Sequence, residues 1–210
     1  MFKNSLLVFI LFIFISCGSK VVAPPLASPE IDLQSYESIG LISFSTQNAE
    51  DKLDEFATKC FLQEIAQIQK GAKVIELGTL EEVLGQVNKR TLNQEAVKAV
   101  GEHFGVPSFF CGKINVSDVK YSSKKIQGVT AYLTRVNVRA TFSIYMKAEL
   151  FSTDTGESLW TDSVSKEKTV SHLMVGKQET GSFDSKVQKE AYKELTEFLA
   201  NELARGFRSR

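Results

Sequence analysis

The stretch from Gly128 to Leu150 reads G-V-T-A-Y-L-T-R-V-N-V-R-A-T-F-S-I-Y-M-K-A-E-L. From Tyr132 onward the even positions are almost all apolar: Tyr132, Val136, Val138, Ala140, Phe142, Ile144, Met146, Ala148 and Leu150. The odd positions carry Arg135, Asn137, Arg139, Thr141, Ser143, Lys147 and Glu149. A period of two held this long predicts a strand with one buried face. Thr153-Asp154-Thr155-Gly156-Glu157 then predicts a hairpin turn in which Gly supplies the positive φ. Ser158-Leu159-Trp160-Thr161 predicts the returning strand. Such a ribbon either lays its apolar face beneath helices or turns it to lipid.

Upstream of the ribbon, the pattern alternates between strand and helix. Ile39-Gly40-Leu41-Ile42-Ser43-Phe44 predicts a buried strand. A helix follows from Glu50 to Gln69, with Leu53, Phe56, Ala57, Cys60, Phe61, Ile65 and Ile68 on one side. Gly71 ends it, and Lys73 to Leu77 predicts a second strand. Thr79 with Glu82, and Thr91 with Gln94, have the spacing of capping boxes for two further helices. Gly105 stops the second of these, and Val106 to Ile114 predicts a third strand. A last helix from Ser185, capped with Gln188, to Arg205 presents Val187, Ala191, Leu195, Phe198, Leu199 and Leu203, with Gly206 beyond it. Strand, helix, strand, helix, strand argues for a parallel start to the sheet, to which the ribbon adds antiparallel strands. The expected class is therefore α/β: a mixed sheet with a parallel start and an antiparallel hairpin, and helices packed on it.

The chain begins with Lys3 and an apolar run from Leu6 to Ile15, closed by Ser16-Cys17-Gly18. This is the form of a secretory signal, and it is shorter than the roughly 20 apolar residues that a span needs. Phe14-Ile15-Ser16-Cys17 resembles the bacterial lipobox, with Phe where Leu is more usual. That resemblance implies a Cys17 carrying diacylglyceryl and N-acyl (palmitate-type) chains, which together hold a bilayer far better than one myristoyl chain. Gly18 is not the Asp of many inner-membrane lipoproteins, which favours the outer membrane, facing the periplasm. Gly18 to Pro29, with Pro24, Pro25 and Pro29 among small and polar residues, cannot bury a core and reads as a tether, and the twenty or so residues before the first strand would reach roughly 60 Å when extended. The expected organisation is a signal over residues 1–16, a lipidated Cys and tether over 17–36, and one domain over 37–210.

Without Lys3 the chain has 24 Lys+Arg against 25 Asp+Glu, which offers no excess positive charge for nucleic acid. Cys60 and Cys111 each fit a buried apolar position and are expected as two free thiols, although the compartment permits a disulfide. His103 and His172 stand apart, with no partner at metal-ligand spacing. Phe44-Ser45-Thr46-Gln47 follows the first strand where a glycine fingerprint would stand, and no P-loop or nucleophile elbow is present. The acidic residues Glu50, Asp51, Asp54 and Glu55, and Glu190, Glu194 and Glu197, read as solvated helix faces. The expectation is a non-enzymatic protein with no cofactor and no metal.

Four segments together resemble the domain of the curli secretion channel family (CsgG) and its related lipoproteins. They are Ile39 to Phe44, Lys73 to Leu84, His103 to Ile114 (with Val106-Pro107 in place of Ala-Asp), and Ala148 to Trp160. The resemblance implies an anticodon-binding-domain-like α/β fold, also found in lipoprotein activators of peptidoglycan synthases. It implies a role in envelope assembly, curli assembly or export through contacts with envelope proteins and, in the channels, with copies of itself.

A pore of that family needs two lipid-facing hairpins. Tyr121 to Gln127, before a break at Gly128, is too polar for lipid, and Thr161 to Asp184 carries Lys166, Glu167, Lys168, Lys177 and Glu179. The reading is thus an accessory or scaffold, with a pore-forming subunit and a synthase activator as the competing functions. Lys166 to Ser182 is expected as a polar loop whose patch of His172, Leu173, Met174 and Val175 contacts a partner. Arg135 and Arg139 on the outward face of the ribbon are the other expected contacts.

Overall fold

A computed structural model of the chain describes residues 31–47, 52–126, 135–175 and 185–207. The signal segment, Cys17 and the turn at Gly128 lie outside the described residues. The fold is a mixed seven-stranded sheet with helices packed on it.

Strand β1 (Ile39–Ile42) is buried at every position, as a central strand covered on both faces must be. It pairs in parallel with β3 (Val74–Gly78) on one side and β4 (Ser108–Val116) on the other. Strand β2 (Ser45–Gln47) continues beside β4, also in parallel. Helix α1 (Leu53–Ile68) makes the crossover from β2 to β3. Helices α2 (Leu80–Gln86) and α3 (Gln94–Phe104) carry the chain on to β4. From there the sheet is antiparallel. Strand β6 (Arg135–Ser152) pairs with β4 over its second half and with β5 (Lys120–Ile126) over its first. Its other edge pairs with β7 (Ser158–Val175) along nearly its whole length. Helix α4 (Ser185–Ala204) closes the described domain, followed by a short 3-10 turn at Arg205–Phe207.

The alternation along β6 decides which side of that strand is inside. Phe142, Ile144, Met146, Ala148 and Leu150 are at most 1% exposed, whereas the odd residues between them are half-buried. The even face packs with Phe110 and Ile114 of β4 against Ala57, Phe61 and Ile65 of α1 and Leu195, Leu199 and Leu203 of α4. Fully burying each large apolar side chain contributes about 1.5–3 kcal/mol. Phe61 meets the rings of Phe44 and Phe110 edge-on at 5.4 and 5.3 Å. Gly112 makes room for this, because a Cβ there would overlap the Phe44 ring. A second, smaller core on the opposite face joins Ile42 and Phe109 to Val83 of α2 and to Val97 and Val100 of α3. Helices therefore cover both faces at the parallel end of the sheet.

Local signals act largely as expected. Thr79 and Glu82 form a reciprocal capping box, Gly105 ends α3 at φ +67°, and Gly156 takes φ +77° in the hairpin turn. Three expectations need correction. The cap of α3 is Asn93, whose side chain accepts from the Ala96 amide, and not Thr91. Gln94 is thereby freed from any box, and its side chain donates to the Thr155 carbonyl. Residues 31–36, assigned by composition to the tether, pack on the domain, with Leu33 fully buried in the main core. The stretch from Lys166 is not a loop: β7 extends to Val175, because β6 offers it a complete ladder of backbone partners.

Candidate partner surface

Strand β7 is 18 residues long, and among the described residues it pairs only with β6. At about 3.4 Å per residue its open edge runs for roughly 60 Å. Such an edge presents unpaired N–H and C=O groups to any incoming strand. The register explains the odd composition beside it. Lys166 and Lys168 stand opposite Ile144 and Phe142, on the side of the sheet that α4 covers. Both lie at the sheet margin, where a long stem can cross the core boundary while its ammonium stays wet. The Lys168 ammonium pairs with Glu194 of α4 at 2.5 Å. The Lys166 ammonium sits 3.4 Å from the centroid of the Phe198 ring, a cation–π contact of about 0.5–1 kcal/mol at an exposed site.

Phe198 is the correction on α4: expected on the buried side, it is 41% exposed. Ala191, Leu195, Thr196, Leu199, Ala200 and Leu203 fill the helix's inner face, and Phe198 lies to one side of it, toward β7. Together with Glu64, Glu197 and Asn201 it lines a cleft of about 540 Å³ between α1, α4 and β7. Asn201 donates to the Glu64 carboxylate and ties the floor of the cleft to α1. An open edge, an exposed ring and flanking charges of both signs suit the addition of an extended segment, with backbone bonds giving affinity and the cleft giving specificity.

The charged middle of the edge disfavours some pairings with a second copy, although centring on Ser165 would set Lys168 against Asp162. In two-fold antiparallel pairing that keeps the same face inward, centring on Glu167 sets Glu167 against Glu167 and Lys166 against Lys168. Centring on either lysine sets that lysine against itself. Like charges directly opposite are destabilising, and inward lysines on an edge are a recognised guard against self-association.

Other groups are quieter. Cys60 and Cys111 are free, as expected. Burial pushes each thiol up to about 11, with nearby carboxylates adding to it, so neither is a ready nucleophile. His103 lies 3.2 Å from the Gln86 side chain. A crevice of about 750 Å³ opens past the ends of β1 and β3, lined by Thr46, Asp54, Thr79, Glu81 and Arg90. This is the place where parallel sheets commonly take ligands. No group of His, Cys, Asp or Glu that could hold a metal occurs among the described residues.

The predicted contact residues fall together. His172, Leu173, Met174 and Val175 form the end of β7, across from Val138, Asn137, Val136 and Arg135 respectively. Arg139 is exposed and lies across from Ser122 and Ser171. Two sets chosen on separate grounds are thus cross-strand neighbours. Cys17 lies outside the described residues. Sequence reasoning missed the long edge and Phe198, because both depend on which strands and helices stop short of β7.

No protein-family model matches the chain, and no curated protein matches it. The resemblance to the curli channel family thus has no counterpart in either comparison. Among solved structures, the chain is similar to the PelC dodecamer from Paraburkholderia phytofirmans, at 11% identity and a TM-score of 0.41, covering 87% of this chain and 94% of that one. It is similar to lipoprotein GNA1162 from Neisseria meningitidis, at 15% identity and a TM-score of 0.42, covering 80% and 98%. It is similar to the LpoB C-terminal domain from Salmonella enterica, at 12% identity and a TM-score of 0.38, covering 62% and 83%. These scores lie below the level at which a likeness bears on function.

Proposed function

We propose that the chain is a lipid-anchored protein of the bacterial envelope, acting as a non-enzymatic accessory or scaffold through protein contacts. The anchor is Cys17, at the end of an apolar run and lipobox-like Phe14-Ile15-Ser16. The observation that carries the mode of action is the open edge of β7, bordered by the exposed Phe198. Its partner is an extended segment of another envelope protein, of an export system or a peptidoglycan synthase, on the periplasmic side of the outer membrane. A channel wall built from this ribbon is disfavoured, since α4 and α1 occupy the apolar face that would meet lipid.

Two experiments test the reading. Cys17→Ala is expected to release the processed protein from the membrane fraction, and full retention after signal cleavage would remove the anchor. A photo-crosslinking residue at Ser165 or Phe198 is expected to capture a discrete partner from the intact envelope. The same residue at Lys98, exposed on α3, is expected not to capture it. Equal capture from all three positions would contradict the assignment to β7.

A further inference from the structure

On the face away from α1 and α4, helices α2 and α3 cover only the end of the sheet around Phe109. The rest is an open surface. Lys113 of β4, Lys120 of β5 and Arg139 of β6 are exposed there, and among the described residues none of the three has a carboxylate partner. The register sets like charges side by side. Lys113 is directly opposite Lys147, and Lys120, opposite Thr141, is a diagonal neighbour of Arg139. Such juxtaposition is unfavourable within a sheet, and only Lys147 is relieved internally, by Glu149. Between the cations lie small hydroxyls such as Ser143 and the Thr141–Thr169 pair, whose oxygens are 2.8 Å apart. Of the exposed large apolar residues, Phe198 is on the helix side and Tyr121 pairs with Ala140 of the inner face, while Ile75 lies on the edge strand β3, across from Gly40, and Leu159 at the start of β7, beside the inward Trp160. Helices α1 and α4, across the sheet, carry seven carboxylates against four lysines. Helices α2 and α3, on the same side as the three cations, carry Glu81, Glu82, Glu95 and Glu102, so the excess of positive charge is confined to the uncovered strands, which also carry Glu149 and Glu167.

We infer that this open face rests on an anionic phospholipid surface, held by Lys113, Lys120 and Arg139 against headgroup phosphates, with the helices and the β7 cleft turned outward. Around the three cations this face presents mainly short polar side chains, with Tyr145 half-buried among them, so it adsorbs to a bilayer and does not insert into it. Electrostatic attraction of this kind is additive over the cations and falls off within a Debye length. The inference rests on the anchor reading for its setting. An acylated Cys17 leaves only the residues 18–30 before the packed segment, a reach of at most about 45 Å. That confinement raises the effective concentration of the bilayer at the face.

The test uses the chain from residue 17 onward with Cys17→Ser, so that no acyl chain contributes, and sedimentation with phosphatidylcholine vesicles with or without about 30% phosphatidylglycerol. Binding is expected to the anionic vesicles alone and to vanish in high salt. Lys113→Glu, Lys120→Glu and Arg139→Glu together are expected to lower binding at least about ten-fold. A control of equal charge change, Lys59→Glu, Lys70→Glu and Lys98→Glu, is expected to retain it. Should the reversal set fail to fold, the Gln versions of the same three positions carry the comparison. No binding to anionic vesicles, equal loss in the control, or binding to a soluble polyanion without binding to vesicles would overturn the inference. None of those results bears on Cys17, whose test is membrane release.

Discussion

Strands β6 and β7 are antiparallel neighbours of the same length, 18 residues each, yet their sequences read in opposite ways. β6 has partners along both edges and helices over one face, so its even positions are apolar and buried. β7 has one partner and an open edge. Its inward positions mix Trp160, Val164 and Val170 with Asp162, Lys166 and Lys168, and the two lysines reach past the core to Phe198 and Glu194. A strand's composition therefore reports its covering, not its conformation. Where the covering stops, charge returns, while backbone pairing continues.

Substitutions can break or sharpen that contrast. The largest effect is expected at Phe142, packed edge-on against Tyr192 at 4.6 Å. Phe142→Ala should cost about 3–5 kcal/mol in urea unfolding, whereas Ser165→Ala on β7 should stay within about 0.5 kcal/mol. Similar costs for both would mean that β6 is not the core strand. Next comes Gly112→Ala, which drives a methyl into the Phe44 ring beneath β4. A loss of about 1–3 kcal/mol is expected from overpacking, and a neutral result would show that Phe44 can move.

The helix caps give smaller effects. Asn93→Ala should cost about 1 kcal/mol and Thr91→Ala much less, as thermal melts of the two variants would show. Thr79→Ala should cost a similar amount and also change the acid limb of stability. The Thr79 amide and hydroxyl hold the Glu82 carboxyl below its ordinary value. A lowered carboxyl stabilises the fold above its unfolded titration range, and that contribution is lost as pH falls through the lowered value. The Thr79→Ala protein should therefore lose stability less steeply in acid. The smallest effect belongs to the margin of β7. A double-mutant cycle on Lys168 and Glu194 should give a coupling of about 0.2–1 kcal/mol, since Glu194 is 76% exposed.

Much of the fold was legible because local and tertiary demands coincide. The alternation from Val138 to Leu150, the Thr79–Glu82 box and the stops at Gly105 and Gly156 each follow from residue chemistry in a short window. The buried start of the sheet was legible for the same reason. What escaped depended on distant neighbours. Thr91 has the spacing of a cap, but Asn93 takes the place, and Gln94 instead bonds the Thr155 carbonyl, far along the chain. Phe198 has a helical position that reads as inward, but the smaller Ala200 and Leu203 seat α4 on the sheet and leave the ring at the cleft. Leu33 is isolated in a polar stretch, so composition hid its burial. For the contact surface, Arg139 and the end of β7 were legible as residues, but not the register that makes them neighbours.

The claim that β6 is the enclosed strand and β7 the open one is tested most directly by amide hydrogen exchange, residue by residue, on the full chain. β6 amides from Val138 to Leu150 should exchange close to the global unfolding rate. Along β7 every second amide, the set pointing away from β6, should exchange orders of magnitude faster and become protected when the partner is bound. Uniformly slow exchange along β7, or fast exchange through the middle of β6, would contradict the account.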